Sequence, residues 1–178
     1  MLDAAKSVLL VVDVQGKLAR MMHRADELLD NLARIIKGAG VLDVPVICTE
    51  QNPRGLGPTV AELAPIIKTE PLAKRSFSCC GEPLFLEALS RLGRKQVLLA
   101  GIEAHVCIYQ TAVDLLGLGY EVHVLTDAIS SRKDHNRQTA IGRMARAGAE
   151  LTSVETALFE MLRVAEGEKF KQILQIVK

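Results

Sequence analysis

The chain has no tryptophan, and aromatic residues make up only 3% of its 178 residues. Stacking nucleobases in series takes a set of aromatic platforms, so single-strand nucleic-acid binding is disfavoured. There is also no excess of charge: 22 Lys and Arg stand against 21 Asp and Glu, a net charge of +1. That balance gives no electrostatic reason to expect DNA, RNA or an anionic membrane as the main partner. No apolar run reaches the roughly 18 residues that a membrane span requires. The start, MLDAAKSVLLVVDVQ, runs straight into a strand pattern and lacks a signal-peptide cleavage site. Cysteine is scarce: Cys48, Cys79, Cys80 and Cys107. Their spacing is not a zinc pattern, and a chain of this size does not need disulfide staples. A bridge between the neighbours Cys79 and Cys80 would be strained. Free thiols in a reducing, cytoplasmic setting are expected, each either a small buried hydrophobe or a nucleophile.

What the chain does have is alternation. Apolar residues make up 49%, and Val-, Ile- and Leu-rich runs alternate with helical patterns. Strands are expected at 7–14, 44–50, 66–70, 95–101, 120–128 and 149–154. Helices are expected at 24–42, 82–93, 103–119, 134–148 and 155–165, with a short one opening near 59 and a last one at 168–177. Strands apolar on both faces imply a parallel sheet covered on both sides. The expectation is one domain, residues 1–178, with a three-layer α/β/α Rossmann-like fold around six parallel strands. The last helix, with Phe170, Ile173, Leu174 and Val177 at helical spacing, packs either on its own domain or on a partner subunit; the former is favoured.

In open parallel sheets, sites form beyond the carboxyl ends of strands, where strand order reverses. Three chemically useful residues sit there. Asp13 ends the first strand in LLVVDVQ, Lys74 follows the presumed third strand in PLAKRSFS, and Cys107 follows the fourth in LAGIEAHVC. A carboxylate can take a thiol proton, and an ammonium can favour a thiolate. Each residue also has a plainer explanation: Asp13 as a cap, Lys74 as a surface charge, Cys107 as core filler. His105 lies two residues from Cys107, a spacing that points it elsewhere on a helix.

The segments VVDVQ, Lys74 followed by Phe-Ser, AGIEAHVC, LTDAISSR and ETALFEML together resemble the isochorismatase-like cysteine hydrolase superfamily. TEQNPRGLGPTVAEL resembles its isochorismatase-domain-containing branch in particular. The resemblance implies a catalytic triad of Asp13, Lys74 and Cys107. It implies a cis peptide between Ile102 and Glu103, and an oxyanion hole from the backbone N–H groups of Glu103 and Cys107. Nicotinamidases of the superfamily bind a metal through Asp-x-His-x-x-His after the second strand; here CTEQNPRGLG has no histidine. No metal and no cofactor are therefore expected. Gln15, Gln51 and Phe77 are candidate substrate contacts. Gln15 is alternatively a residue that holds Asp13 or Lys74, or a turn cap. Asp127, Ser131 and Arg132 fall in a segment expected to be structural.

The resemblance further implies a small-molecule substrate, amide-like chemistry through a Cys107 thioester, and a homo-oligomer, at least a dimer. Vinyl-ether hydrolysis of the isochorismatase type and a non-catalytic scaffold are the alternatives. A third is nucleic-acid handling by the basic segment RKDHNRQTAIGRMAR, whose charges read better as a solvated helix face.

Overall fold

The computed structural model describes residues 1–178. Six strands form one sheet: β1 (Ser7–Val12), β2 (Val46–Gln51), β3 (Leu72–Lys74), β4 (Gln96–Ile102), β5 (Glu121–Ser130) and β6 (Glu150–Thr152). All are parallel, in the order β3-β2-β1-β4-β5-β6. The chain reverses direction across the sheet between β1 and β4, so the switch point lies at the carboxyl ends of those two strands. Eight helices connect and cover them: α1 (Gly16–Arg20), α2 (Ala25–Val41), α3 (Pro53–Leu56), α4 (Pro83–Arg91), α5 (Tyr109–Gly117), α6 (Asp134–Arg146), α7 (Val154–Leu162) and α8 (Gly167–Val177).

The central strands are buried on both faces, and their side chains alternate between two apolar layers. Leu9, Val11, Leu98 and Ala100 join Leu32, Ile35 and Leu158 beneath α2 and α7. Val8, Leu10, Val97 and Leu99 join Phe85, Leu115 and Met144 beneath α4, α5 and α6. This is why the strands read as unbroken apolar runs. Helix α8 packs against α2 and α7 of its own chain, with Ile173 fully buried.

Two strand-level expectations need correction. The third strand is Leu72–Lys74, not 66–70. Ile66 and Ile67 pack into the α2-side layer instead, after a 3-10 turn at Ala64–Ile66. The edge strand pairs on one side only, Thr49–Leu72 through Gln51–Lys74. So short a strand leaves little periodic signal. The expected helix 103–119 is also broken: Ala104–Ile108 form a π-helical turn before α5.

Gly101 brings the two halves of the switch point together. It pairs with Val12 at φ +116°, and a Cβ there would lie 2.2 Å from the Val12 carbonyl oxygen. A side chain must therefore force β1 and β4 apart beside Asp13. Gly101→Ala should destabilise the fold by at least about 3 kcal/mol, read as a lower urea midpoint.

Candidate functional site

Asp13 follows β1 directly, in the left-handed backbone region at φ +56°, which Asp tolerates better than most residues. Its N–H donates to the Thr49 carbonyl at 3.1 Å, and its Oδ1 accepts from the Thr49 hydroxyl at 2.8 Å. The carboxyl is thus held against the end of β2. Lys74, the last residue of β3, brings its Nζ to 2.7 Å from Asp13 Oδ2, with the two side chains 1% and 3% exposed. Two full charges this deep need each other and need hydrogen bonds.

The three ammonium protons have three other acceptors: Gln51 Oε1 at 2.6 Å, Ser76 O at 3.1 Å and Phe77 O at 2.9 Å. Asp13 Oδ2 faces the ammonium in this buried ion pair. A carboxylate has about four lone-pair sites on its two oxygens, so it keeps room to accept a proton.

Cys107 lies in the π-helical turn after β4, buried at 7% exposure. Burial first, and then the negative charge of Asp13, push its thiol up to about 12; a hydrogen bond to the Asp13 carboxylate adds to this, and Lys74 opposes it. The resting group is a protonated thiol within the field of Asp13 and Lys74. Desolvation and the adjacent carboxylate here outweigh the ammonium, which still opposes the rise. The three residues thus meet at one place, drawn from β1, β3 and the turn after β4.

The Ile102–Glu103 peptide is cis. Beyond it, the Glu103 carbonyl accepts from the N–H groups of Val106 at 3.0 Å and Ile108 at 3.3 Å, passing over that of Cys107. The Glu103 carboxylate, side chain 9% exposed, pairs with Arg132 at 3.1 Å and accepts from the Arg132 N–H at 3.0 Å. Asp127 accepts from the Val154 N–H at the start of α7 at 3.0 and 3.1 Å. Ser131 Oγ lies 2.9 Å from His105 Nδ1. These contacts tie the Asp127–Arg132 segment to the turn behind the thiol, and they account for His105 without a chemical role.

The three candidate substrate contacts divide. Gln15 is fully buried. It donates to Gly57 O at 2.7 Å and Gln51 O at 3.2 Å, and accepts from the Gln51 N–H at 2.7 Å. It clamps the loop after β2 and makes no hydrogen bond to Asp13 or Lys74. Gln51 holds Lys74 and donates to Arg75 O at 2.9 Å. Phe77 has 55% exposure; its carbonyl serves Lys74 while its ring stands in solvent.

Thr49 and Glu82 carried no motif in the sequence. Thr49 is the first polar residue of the strand VICTEQ and the last one buried in it, a combination only the fold reveals. Glu82 Oε1 accepts from the N–H groups of Arg75 at 2.8 Å and Ser76 at 2.9 Å, and from the Ser76 hydroxyl at 2.7 Å. Those bonds hold its carboxyl down at about 2. They also shape the turn whose carbonyls receive Lys74. A carboxyl depressed by folding stabilises the fold above its ordinary value of 4.5, and that contribution fades as pH falls toward 2. The melting-temperature gap between the wild type and Glu82→Gln should be full above pH 5 and should close across this window.

A doubly wound parallel sheet with a buried acid–amine pair and a thiol at its switch point defines an α/β protein whose chemistry sits at the carboxyl end of the sheet. Comparison with known proteins makes the class specific. The family model described as the isochorismatase domain matches residues 7–156, and the chain belongs to the isochorismatase family. It is 40% identical over 176 residues to isochorismatase domain-containing protein 2 of Xenopus laevis, covering 99% of this chain and 85% of that one. Among solved structures, the MAR1 ribonuclease of Caenorhabditis elegans superposes with a TM-score of 0.92 at 36% identity, covering 99% of this chain and 91% of that one. The Escherichia coli YcaC gene product, described as an octameric hydrolase of unknown specificity, gives a TM-score of 0.93 at 26% identity, with coverages of 98% and 88%. YcaC from Pseudomonas aeruginosa, solved with hexane-2,5-diol and covalent acrylamide, gives 0.92 at 28% identity, with coverages of 98% and 90%.

Proposed function

We propose that the chain is a metal-free cysteine hydrolase of a small amide-like substrate, with Asp13, Lys74 and Cys107 as its catalytic triad. The observation that carries this reading is the ion pair between Asp13 and Lys74, buried at the switch point beside a thiol that is protonated at rest. The Cys107 sulfur attacks the substrate carbonyl as its proton passes to Asp13, and a C–S bond forms. The oxyanion faces the N–H groups of Glu103 and Cys107. Asp13 returns the proton to the nitrogen as the C–N bond breaks, and the amine leaves a thioester behind. Water, giving a proton to Asp13, attacks the thioester; the C–S bond breaks and the thiol regains its proton. Lys74 keeps the carboxylate charged until the proton moves and offsets the charge of the sulfur.

Several observations support this reading. Acrylamide is an electrophile that captures nucleophiles such as thiolates, and a solved neighbour carries it covalently. The four cysteines are unpaired, in keeping with a reducing, cytoplasmic setting, and no helix is long and apolar enough to cross a membrane. Self-association is also proposed, supported by the octameric E. coli neighbour; light scattering tests it. The test of the function is a screen of small amides, ureido compounds and isochorismate, with intact-mass detection of an acyl adduct on the Cys107 peptide. Turnover without any adduct, unchanged when Cys107 is lost, sinks the thioester route.

Isochorismate-type vinyl-ether hydrolysis needs only the acid, and the family's name favours it as a second reading. Activity on isochorismate that survives Cys107→Ala would establish it. RNA cleavage is suggested by the names of three neighbours. Yet Arg132 is held by Glu103, Arg137 by the carbonyl of Ile129, and Arg143 by the ring and hydroxyl of Tyr109. A basic face committed this way has few cations left for phosphates.

A further inference from the structure

Resting on the proposed hydrolase reading, we infer that Thr49 is a positioning residue that fixes the orientation of the Asp13 carboxylate for transfer of the Cys107 proton. A free carboxylate offers two equivalent oxygens and rotates to present either. Here the two differ. Oδ1 accepts from the Thr49 hydroxyl at 2.8 Å, and the same residue's carbonyl receives the Asp13 N–H at 3.1 Å. Thr49 therefore grips Asp13 at both backbone and carboxyl, and it does so from the buried end of β2 at 1% exposure.

The hydroxyl has one proton to give. Its nearest other partner is the Cys79 sulfur at 3.9 Å. Cys79 is itself buried, and its thiol is pushed up to about 11 by that burial. Such a thiol keeps its hydrogen and does not draw the hydroxyl proton away from Asp13. The lysine completes the asymmetry. Its ammonium, held also by Gln51 Oε1 and the carbonyls of Ser76 and Phe77, lies 2.7 Å from Oδ2. One oxygen is hydrogen-bonded to a neutral donor and the other faces the cation, so the carboxylate is held against rotation.

The readout needs no natural substrate. Iodoacetamide alkylation of Cys107, followed by peptide mass spectrometry against pH, reports proton transfer from the thiol to Asp13. In Thr49→Val the shape is kept and the donor is lost. Removing a donor from a carboxylate favours its protonated form and frees it to rotate. The acid limb of the alkylation profile should move up by about one pH unit, and the plateau rate should fall roughly ten-fold. Thr49→Ser keeps the donor and should stay within about three-fold of the wild type with an unmoved limb.

A folded Thr49→Val protein whose profile overlays the wild type overturns the inference, and so does an equal shift in Thr49→Ser. Failure of the underlying reading looks different. Wild-type Cys107 would then alkylate no faster than Cys48 or Cys79 at any pH, and Asp13→Asn would change nothing.

Discussion

Cys107→Ala should show no acyl adduct with any substrate and at least a roughly 10^4-fold loss of kcat/KM on a C–N substrate. The size follows from the division of labour. Without the sulfur, the remaining groups are a carboxylate, an ammonium and two backbone donors, which can polarise a carbonyl but cannot form the covalent intermediate. The fold should survive. The sulfur is a small group in a turn anchored from behind by Glu103 and Arg132, and its replacement by a methyl group leaves no charge unpaired. Circular dichroism and melting close to the wild type would confirm that chemistry, and not structure, was removed. Cys107→Ser is the sharper variant. Its hydroxyl keeps nearly the same volume, but an alkoxide is harder to form beside the Asp13 charge than a thiolate, so turnover should again be lost. Retained amide turnover in either protein would remove Cys107 from the mechanism.

The second large effect is on stability. Lys74→Met leaves the Asp13 carboxylate 3% exposed with its cation gone, and breaking a buried pair from one side costs about 3–5 kcal/mol. The three oxygens that had received the ammonium lose their donor as well. The Cys107 thiol should titrate still higher, because Lys74 is the charge that opposes its rise. Asp13→Asn combined with Lys74→Met removes both charges and should recover part of that loss, since no uncompensated ion stays buried. Neither protein should turn over an amide. Urea unfolding of the two variants and the wild type measures this. A double variant less stable than Lys74→Met alone would show that the charges are not what hold the site.

The visibility of this site in the sequence was uneven, for reasons specific to each residue. Asp13 stands out because it breaks an apolar run at the end of a long central strand, and Cys107 because it opens the helix that follows another such strand. Lys74 was found by its neighbourhood, although the strand that carries it was expected at 66–70. Ile66 and Ile67 look like strand residues, but they serve the α2-side layer. Gln15 and Gln51 looked alike as polar residues in loops. The fold spends one on backbone groups of Gln51 and Gly57, and turns the other onto the lysine.

The amino-acid order alone carried the α/β class, the parallel sheet with helices on both sides, and three residues of suitable chemistry at strand ends. Those follow from local periodicity and from the rule that parallel sheets keep their sites at one edge. Folding settled which charges became neighbours: Lys74 on Asp13, Thr49 on one carboxylate oxygen, and a carboxylate near enough to keep Cys107 protonated. The partners of Asp13 lie 36, 61 and 94 residues further along, at Thr49, Lys74 and Cys107, so no window along the chain contains them.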